Sequence, residues 1–558
     1  MTLLTDTIRN SIIGERALIP TLFGDKPLVY ADYTASGRSL TLIEDYIRNQ
    51  VMPWYANTHT ETSFTGAQST ALREQARRQV RSAVNGTDDD KVIFCGSGAT
   101  AAIDKLIDVL NLRLPADLNT RYKLEDVIPE PERPVVFIGP YEHHSNELPW
   151  RESIADVVRI PLCRNGQLDG SALEKALLRY SDRTLKIGSF SAASNVTGIK
   201  THVDAVTRLL HQHGALAFWD YAAAGPYVGI DMTGSVTAEG DSHKDAVFLS
   251  PHKFVGGPGT PGVLIAKRHL FKNRVPAVPG GGTVAYVTPD DHRYTDDIER
   301  REEGGTPAII ESIRAGLVFR LQQQVGTDTI EALETDFMRR ARERWSAFDN
   351  IEILGPDNAP QLSIASLRIK HQGKDLHYGF VVALLNDLFG IQARGGCSCA
   401  GPYGHALLNM DMAYSRALDK QVIAGHMILR PGWVRLNFNY FIDESTFEYL
   451  IRAVELVAEH GWRLLPYYAF DTQANVWRYQ GSETPLITQW QDIDFEEMDK
   501  RSPGAPATAD KTLPDYLAIA EKTLTDTRDQ ATVYSLELPE EAEALRWFAL
   551  PQQAARAF

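Results

Sequence analysis

The sequence predicts an α/β fold: a large domain built on a mostly parallel central sheet, a smaller α+β domain and a C-terminal extension. Between about residues 20 and 270, short apolar runs alternate with amphipathic stretches, which indicates buried strands covered by helices on both faces. Residues 310–465 mix helical and strand patterns. From Glu483 onward the chain carries 15 acidic and 7 basic side chains, which sets the extension apart.

Composition excludes several classes of protein. The 558 residues are 43% hydrophobic and 23% charged, which are globular proportions and not those of a disordered or fibrous chain. The formal charge of −15 argues against non-specific binding to nucleic acid or anionic lipid, which requires clustered Lys and Arg. No run approaches the roughly 18 apolar residues of a membrane span. We therefore predict a cytoplasmic protein that binds neither nucleic acid nor membrane.

The large domain is predicted over 21–309, after an N-terminal arm at 1–20. A helix is expected at 202–214, where apolar residues recur at helical spacing and Gly214 supplies a stop. Five buried strands are expected at 135–139, 185–190, 215–220, 245–250 and 262–266. Because open parallel sheets bind ligands at the carboxyl ends of their strands, we expect functional residues directly after these runs.

The smaller domain is predicted over 310–465 and the extension over 466–558. A Gly- and Pro-rich connection at 276–307 leads into the smaller domain, and loops of this length are usually functional or interfacial. In the extension, 501–510 has the composition of a flexible linker. We expect short amphipathic helices at 515–530 and 539–550. Clustered acids and three aromatic residues predict that the extension binds a partner or covers a dimer interface: Trp490, Trp547 and Phe548.

Two charged residues stand at the ends of predicted strands. Lys253 precedes a glycine-rich turn, a setting that suits a Schiff base to an aldehyde cofactor, because burial lowers the pKa of the amine. Asp220 ends a strand, where a buried carboxylate needs a partner such as a protonated pyridine nitrogen. A surface lysine in a polar turn and a helix-capping aspartate are the alternative interpretations.

Three further motifs follow strands or lie in glycine-rich loops. The strand–turn–helix pattern at 93–110 offers an anion site at a helix N-terminus, or simply a tight turn. His143, in the segment 141–150, suits ring stacking or proton transfer. The loop 393–405 holds two of the four cysteines, which suits a nucleophile, a disulfide or a metal, although the spacing lacks the second ligand pair of a zinc site. Four cysteines are too few for a disulfide scaffold, so we predict reduced thiols and no metal.

The order of these motifs resembles the class V aminotransferase superfamily, a pyridoxal 5′-phosphate (PLP) fold of type I. The resemblance covers roughly residues 20–465. Within the superfamily, the chain is most similar to cysteine desulfurases whose loop reads R-x-G-x-x-C-A, matched by Arg394, Gly396, Cys399 and Ala400. Cys397 and Ser398 stand where that family commonly has two His, and Ala223 stands where a Gln is expected.

The resemblance implies a role for each site residue. Lys253 would hold PLP and shuttle the α-proton, Cys399 would take sulfur from the bound cysteine, and Arg435 would clamp the substrate carboxylate. The remaining residues would contact the cofactor: Asp220 at the pyridine nitrogen, His143 and Ala222 on the two ring faces, Asn195 at the ring oxygen or substrate, Ala99, Thr100, Ser250 and His252 at the phosphate, and Thr306 from a second subunit.

The predicted function is therefore that of a homodimeric, PLP-dependent cysteine desulfurase-like enzyme. L-cysteine would yield L-alanine, with sulfur passed to Cys399 and then to a sulfur-acceptor protein. Two alternatives stay open. One is transamination or carbon–sulfur or carbon–carbon cleavage of another amino acid on the same fold, and the other is a non-catalytic sulfur carrier or scaffold.

Overall fold

A seven-stranded sheet forms the centre of the protein. The structure is a computed structural model that describes residues 3–482, 490–496, 507–526 and 532–557. Six strands run in one direction and Gly262–Lys267 runs against them. All five predicted strands are present within one residue at each end. Across the sheet, the order is Asp90–Cys95, Gly262–Lys267, Ala246–Leu249, Leu216–Asp220, Lys186–Ser191, Val135–Ile138 and Asp156–Arg159.

Apolar cores cover both faces of this sheet. Val135 and Phe137 belong to one core, whereas Val136 and Ile138 belong to a second. Since successive side chains of a strand point to opposite faces, the continuous apolar runs bury both, and the predicted α/β class is confirmed. The main helices of this region are Phe64–Ala83, Gly98–Val109, Ala116–Tyr122, Leu148–Arg151, Gly170–Arg179 and Val203–Gln212.

The helix predicted at 202–214 occupies Val203–Gln212, and the chain turns at Gly214 with a φ of 66°. The predicted strand–turn–helix motif is also confirmed, with a turn between Asp90–Cys95 and Gly98–Val109. The connection at 276–307 forms a hairpin and one helical turn. Their bounds are Val284–Val287, His292–Tyr294 and Ile298–Arg301.

An antiparallel sheet organises the region predicted as the smaller domain. Its strands lie in the order Ile351–Ile353, Ile364–His371, Trp433–Asn437 and Arg394–Gly396, with Lys374–Asp375 beside Ile364–His371. Its helices are Ile309–Val325, Thr327–Trp345, Tyr378–Phe389, Gly401–Leu407, Met412–Ile423 and Glu444–His460. The N-terminal part of the chain contacts this region, because Val29–Tyr30 pairs with Ile391–Gln392. The exact domain boundaries stay predictions.

Shorter elements complete the N-terminal part and the edges. They are the helices Leu3–Asn10 and Thr41–Tyr46, the pair Leu18–Ile19 and Lys26–Pro27, and the pair Val236–Thr237 and Gly240–Asp241. Within the described residues, no helix is both long and apolar enough to span a membrane.

Most described residues of the C-terminal extension pack against the rest of the chain. The hairpin Tyr468–Asp471 and Val476–Tyr479 leads into it. One predicted helix is present as Leu513–Thr525, whereas the other is helical only at Glu540–Glu543. Pro551–Ala554 adds a last short helix. Of the predicted linker, 501–506 lies outside the described residues and Thr508 pairs with Ala17.

Of the predicted trio Trp490, Trp547 and Phe548, the last two pack in the main hydrophobic core. Phe548 is fully buried, and Trp547 stacks on His377 with ring centroids 5.2 Å apart. The Ala549 N–H donates to the Asp375 carbonyl at 2.8 Å. Burial lowers the pKa of His377 to about 3, so this ring is neutral and packs as an aromatic residue. Trp490, by contrast, is 90% exposed.

We predict that Phe548→Ala lowers the free energy of unfolding by about 3–5 kcal/mol, because it leaves a cavity under the extension. Urea unfolding followed by tryptophan fluorescence measures the change. Phe495→Ala is the matched control, since Phe495 is 83% exposed and its loss should cost no more than about 0.5 kcal/mol. Equal stability of the two variants would show that the extension is not part of the folded core.

Candidate active site

A cavity of about 250 Å³ opens at the carboxyl ends of the central strands. Eleven of the twelve residues predicted for the site line it, although they come from segments spread between residues 99 and 435. They are Ala99, Thr100, His143, Asn195, Asp220, Ala222, Ser250, His252, Lys253, Cys399 and Arg435. Thr306 lies elsewhere: it is exposed, and its Oγ1 accepts a hydrogen bond from Asn57 Nδ2 at 3.4 Å.

Lys253 and Asp220 place opposite charges in this cavity. Lys253 ends the single turn Pro251–Lys253, which follows the strand Ala246–Leu249. Desolvation lowers the pKa of the Lys253 amine to about 8, against the opposing effect of the Asp220 charge. Burial raises the pKa of Asp220, while its Oδ1 accepts the Ala222 N–H at 2.8 Å. The site therefore supplies an amine that loses its proton near pH 8 and a buried carboxylate that requires a partner.

The N-terminus of the twelve-residue helix Gly98–Val109 forms one wall. The Ala99 N–H donates to Ser250 Oγ at 2.9 Å, and Thr100 Oγ1 bonds Ser145 Oγ at 2.7 Å. Gly98 has a φ of 58°, and a Cβ there would lie 2.8 Å from both Ser250 Oγ and the His252 ring. Backbone N–H groups, hydroxyls and the positive end of the helix dipole thus lie together in an arrangement that suits an anion.

His143 is a neutral ring in this setting. Desolvation, and then the nearby charge of Lys253, lower its pKa to about 4. Its Nδ1 accepts the Ser145 N–H at 3.1 Å, which leaves the proton on Nε2. A neutral imidazole at the cavity wall is suited to stacking on an aromatic ring.

Glu142, which the sequence analysis missed, precedes His143 and connects the ends of two strands by hydrogen bonds. Its carboxyl group accepts the N–H and the hydroxyl of Ser191 at 2.9 and 2.6 Å and the Asn146 amide at 2.7 Å. Burial raises the pKa of Glu142 to about 7. The signal in the sequence is the position of Glu142, which directly precedes His143 after a buried strand.

Asp32, also missed, lies between two arginines. Arg435 Nη2 and Arg394 Nε each donate to its carboxylate at 2.9 Å. Arg435 Nη1 also donates to the Asn195 carbonyl at 3.0 Å, and the buried Arg435 Nε finds no partner among the described residues. Arg394 is more accessible, with 54% of its side chain exposed. The paired arginines form a cationic wall that suits a small carboxylate.

The cysteine loop closes the cavity from the smaller sheet. It joins the strand Arg394–Gly396 to the helix Gly401–Leu407. Cys399 is exposed and lines the cavity, and its carbonyl accepts the His144 N–H at 2.8 Å. Asn195 Nδ2 donates to the Ser398 carbonyl at 2.8 Å, while the buried Asn195 Oδ1 accepts no hydrogen bond from any residue that the structure describes. All four cysteines are free thiols.

A separate cluster of titratable groups lies at the opposite edge of the sheet. His211, His243 and Asp245 bring possible metal-ligand atoms within 4.8 Å of one another. Asp245 accepts from His211 Nε2 at 3.0 Å and from the Ala217 N–H at 2.8 Å. These bonds join the start of two strands to a helix end. The absence of a metal site stays a prediction.

Comparison with known proteins gives the family. The family described as Aminotransferase class-V matches residues 29–417. The chain belongs to this family. Its match includes Lys253, Asp220 and the cysteine loop, and of the residues that line the cavity only Arg435 lies beyond it.

Curated relatives and solved structures agree with this result. A probable cysteine desulfurase of Staphylococcus aureus (strain Mu50) is 28% identical over 401 residues, which cover 70% of this chain and 88% of the relative. A probable cysteine desulfurase of Halalkalibacterium halodurans is 28% identical over 384 residues, or 67% and 85% of the two chains.

The fold is shared with solved cysteine desulfurases. The apo structure from Thermococcus onnurineus NA1 matches with a TM-score of 0.62 at 22% identity, covering 77% of this chain and 95% of the other. The S-sulfonic acid form of an Escherichia coli cysteine desulfurase matches with a TM-score of 0.59 at 21% identity, covering 77% and 94%. The predicted PLP type I fold is confirmed.

Members of this family use PLP, and the donor set of the cavity fits that group. Lys253 offers an amine for the aldehyde, and Asp220 offers a buried carboxylate for the ring nitrogen. Asn195 Oδ1 is buried without a partner among the described residues, so a polar group of the cofactor or substrate could bond it. At Gly98, the absence of a Cβ leaves space next to Ser250 and His252.

We predict that acetic anhydride acylates Lys253 of the cofactor-free protein half-maximally near pH 8, because only the neutral amine reacts. An ordinary lysine has a pKa of about 10.4. Asp220→Asn should move the midpoint lower, since its charge favours the protonated amine. Mass spectrometry of the Lys253 peptide measures the reaction, and the urea-denatured chain is the control. A midpoint near the ordinary value in the folded protein would contradict the desolvation of this lysine.

Proposed function

We propose that the protein is a PLP-dependent cysteine desulfurase-like enzyme, which converts L-cysteine to L-alanine and leaves a persulfide on Cys399. The proposal is carried by one observation: the Cys399 loop and Lys253 line the same cavity. Family membership and the names of the relatives support it.

Each wall of the cavity would hold one part of PLP. Lys253 would bind its aldehyde, Asp220 would face the ring nitrogen, and His143 and Ala222 would lie on the ring faces. The phosphate would accept hydrogen bonds from Thr100, Ser250, His252 and the first turn of the helix that contains Ala99. When bound, PLP supplies an electron sink for the carbanion at the substrate α-carbon.

Lys253 carries the proton chemistry. Because desolvation lowers its pKa to about 8, the amine accepts and returns a proton at neutral pH without a large energetic penalty. Asp220 opposes this effect and keeps part of the population protonated. The Lys253 amine therefore removes the α-proton of the substrate and later delivers a proton to the product.

Cys399 carries the sulfur chemistry. Its thiolate attacks the substrate sulfur, so that a sulfur–sulfur bond forms on Cys399 while the substrate carbon–sulfur bond breaks. The electron pair of the broken bond stays on the carbon, which is protonated to give alanine. Cysteine and one enzyme thiol thus become alanine and one persulfide, with no added oxidant.

The arginines and Asn195 orient the substrate. Arg435 is held rigidly by Asp32 and the Asn195 carbonyl, so its geometry is set before the substrate binds. Arg394, more exposed and bound to Asp32 through Nε alone, also lines the cavity. Together they fix the substrate carboxylate, with the thiol directed towards Cys399.

The same proposal extends to the assembly. Thr306 is exposed and outside the cavity, as expected of a residue that serves the site of a second subunit in a homodimer. An exposed Cys399 leaves room for a sulfur-acceptor protein. Four free thiols suit the reducing cytoplasm that persulfide chemistry requires.

We expect wild-type protein incubated with PLP to show a visible absorbance band, and Lys253→Ala to lack it, because the Schiff base is lost. Absorbance after removal of free PLP measures the effect. Lys272→Ala is the matched control, since Lys272 is an exposed lysine outside the cavity. A wild-type protein without the band would favour the non-catalytic sulfur carrier or scaffold.

We expect wild-type enzyme with L-cysteine and a reductant to release alanine and sulfide in equal amounts, and Cys399→Ala to release at least about 100-fold less, because no other thiol is predicted to attack the substrate sulfur. Amino-acid analysis and a sulfide assay measure the products. Cys163→Ser, a change outside the cavity, should retain activity. Formation of neither product by wild-type enzyme would refute the proposal.

A second reaction on the same fold is favoured by one feature of the cavity. Ala223 lines it where a Gln is expected, so the hydrogen bond that a Gln would donate to the ring oxygen is missing. Transamination or carbon–sulfur or carbon–carbon cleavage of another amino acid would then occur without Cys399. Release of pyruvate or another oxo acid by both wild type and Cys399→Ala, in a panel of amino acids, would identify this alternative.

A further inference from the structure

We propose that Cys397 is a second sulfur carrier, which takes the transferred sulfur from Cys399 and presents it on the other side of the loop. The inference rests on the proposed function, since Cys399 must first receive sulfur. It adds a second thiol to the reaction and an exit for the sulfur that avoids the PLP cavity.

The two cysteines of the loop face different cavities. Cys399 lines the cavity that contains Lys253, whereas Cys397 lines a separate cavity of about 400 Å³. Cys397 is partly buried and packs against the apolar cluster of Tyr141, Tyr403 and Trp433. The second cavity is therefore the place where a sulfur on Cys397 would meet an acceptor.

The backbone between the cysteines brings the two thiols within reach. Ser398 has a φ of 54°, and for a residue with a Cβ this value falls in the small left-handed region. A left-handed residue gives the same Cα separation between its neighbours as a helical one, about 5.4 Å from helix dimensions. Cysteines that form sulfur–sulfur bonds have Cα atoms about 4.4–6.8 Å apart. Rotation about the side-chain bonds of the cysteines therefore suffices for transfer.

The loop is held in this shape from three sides. Asn195 donates to the Ser398 carbonyl at 2.8 Å, and the His144 N–H donates to the Cys399 carbonyl at 2.8 Å. The Ala400 N–H bonds the Cys397 carbonyl at 3.2 Å. These bonds hold the backbone of the loop, and none of them involves either thiol.

The transfer is balanced without an oxidant. The Cys397 thiolate attacks the outer sulfur of the Cys399 persulfide, so that a bond forms between Cys397 and that sulfur. The sulfur–sulfur bond on Cys399 breaks, and Cys399 leaves as a thiolate. Cys399 is thus restored for a second turnover while the first sulfur waits on Cys397.

The test counts alanine released by PLP-loaded enzyme in a small molar excess of L-cysteine without reductant. Rapid quenching should give a wild-type burst of two alanines per subunit, one for each thiol loaded. Cys397→Ser should give one, which is a two-fold smaller burst. Cys163→Ser, which also removes one thiol but lies outside the loop, should match wild type. Alkylation and peptide fragmentation should locate persulfides on both Cys397 and Cys399 of wild type.

Other results would overturn the relay. A wild-type burst of one alanine, with persulfide on Cys399 alone, shows that Cys397 takes no sulfur. A disulfide between the two cysteines with free sulfide shows attack on the inner sulfur instead. If neither wild type nor any of the variants releases alanine, the proposed function itself fails, and the relay fails with it. The wild-type persulfide map decides the question even if Cys397→Ser does not fold.

Discussion

Removal of Lys253 from water is the constraint on which the rest of the site depends. The amine lies at the carboxyl edge of the sheet, and its pKa is lowered to about 8. The residues that line the cavity exclude water from the amine and so cause this shift. Desolvation disfavours a charged lysine, so the fold must supply both a dry pocket and a nearby carboxylate. Asp220, on the adjacent parallel strand, supplies that charge. Parallel pairing places the ends of these two strands side by side, and therefore brings the Asp220 carboxylate close to the Lys253 amine.

Buried carboxyl groups hold the walls in place around that edge. Glu142 bonds the end of a neighbouring strand through Ser191, and Asp32 holds both Arg394 and Arg435. Each is a polar group whose burial is costly unless its hydrogen bonds are made. Their full sets of partners therefore favour one arrangement of the site over others, and a substrate meets side chains that are already oriented.

The sequence predicted the parts of the fold that depend on local pattern. The five strands and the helix at 202–214 follow from continuous apolar runs and helical spacing, and the site residues follow from their positions at strand ends. Asp32 could not be found in this way, because its partner Arg435 lies 403 residues later. The helix predicted at 539–550 ends at Glu543, since Phe548 pairs with Asp375 instead. Tertiary contacts overrode helical propensity there.

Tyr378 lies between the extension and the strand that leads into the cysteine loop. Trp547 stacks on Tyr378, with ring centroids 6.0 Å apart and planes at 12°. The Tyr378 ring lies so close to Gly395 that a Cβ on Gly395 would be 2.7 Å from the ring. Gly395 is the middle residue of the strand Arg394–Gly396, which leads into the loop of Cys397 and Cys399. Trp547 of the extension thus packs on the tyrosine that lies against the strand leading to both cysteines, although no described residue of the extension lines the cavity.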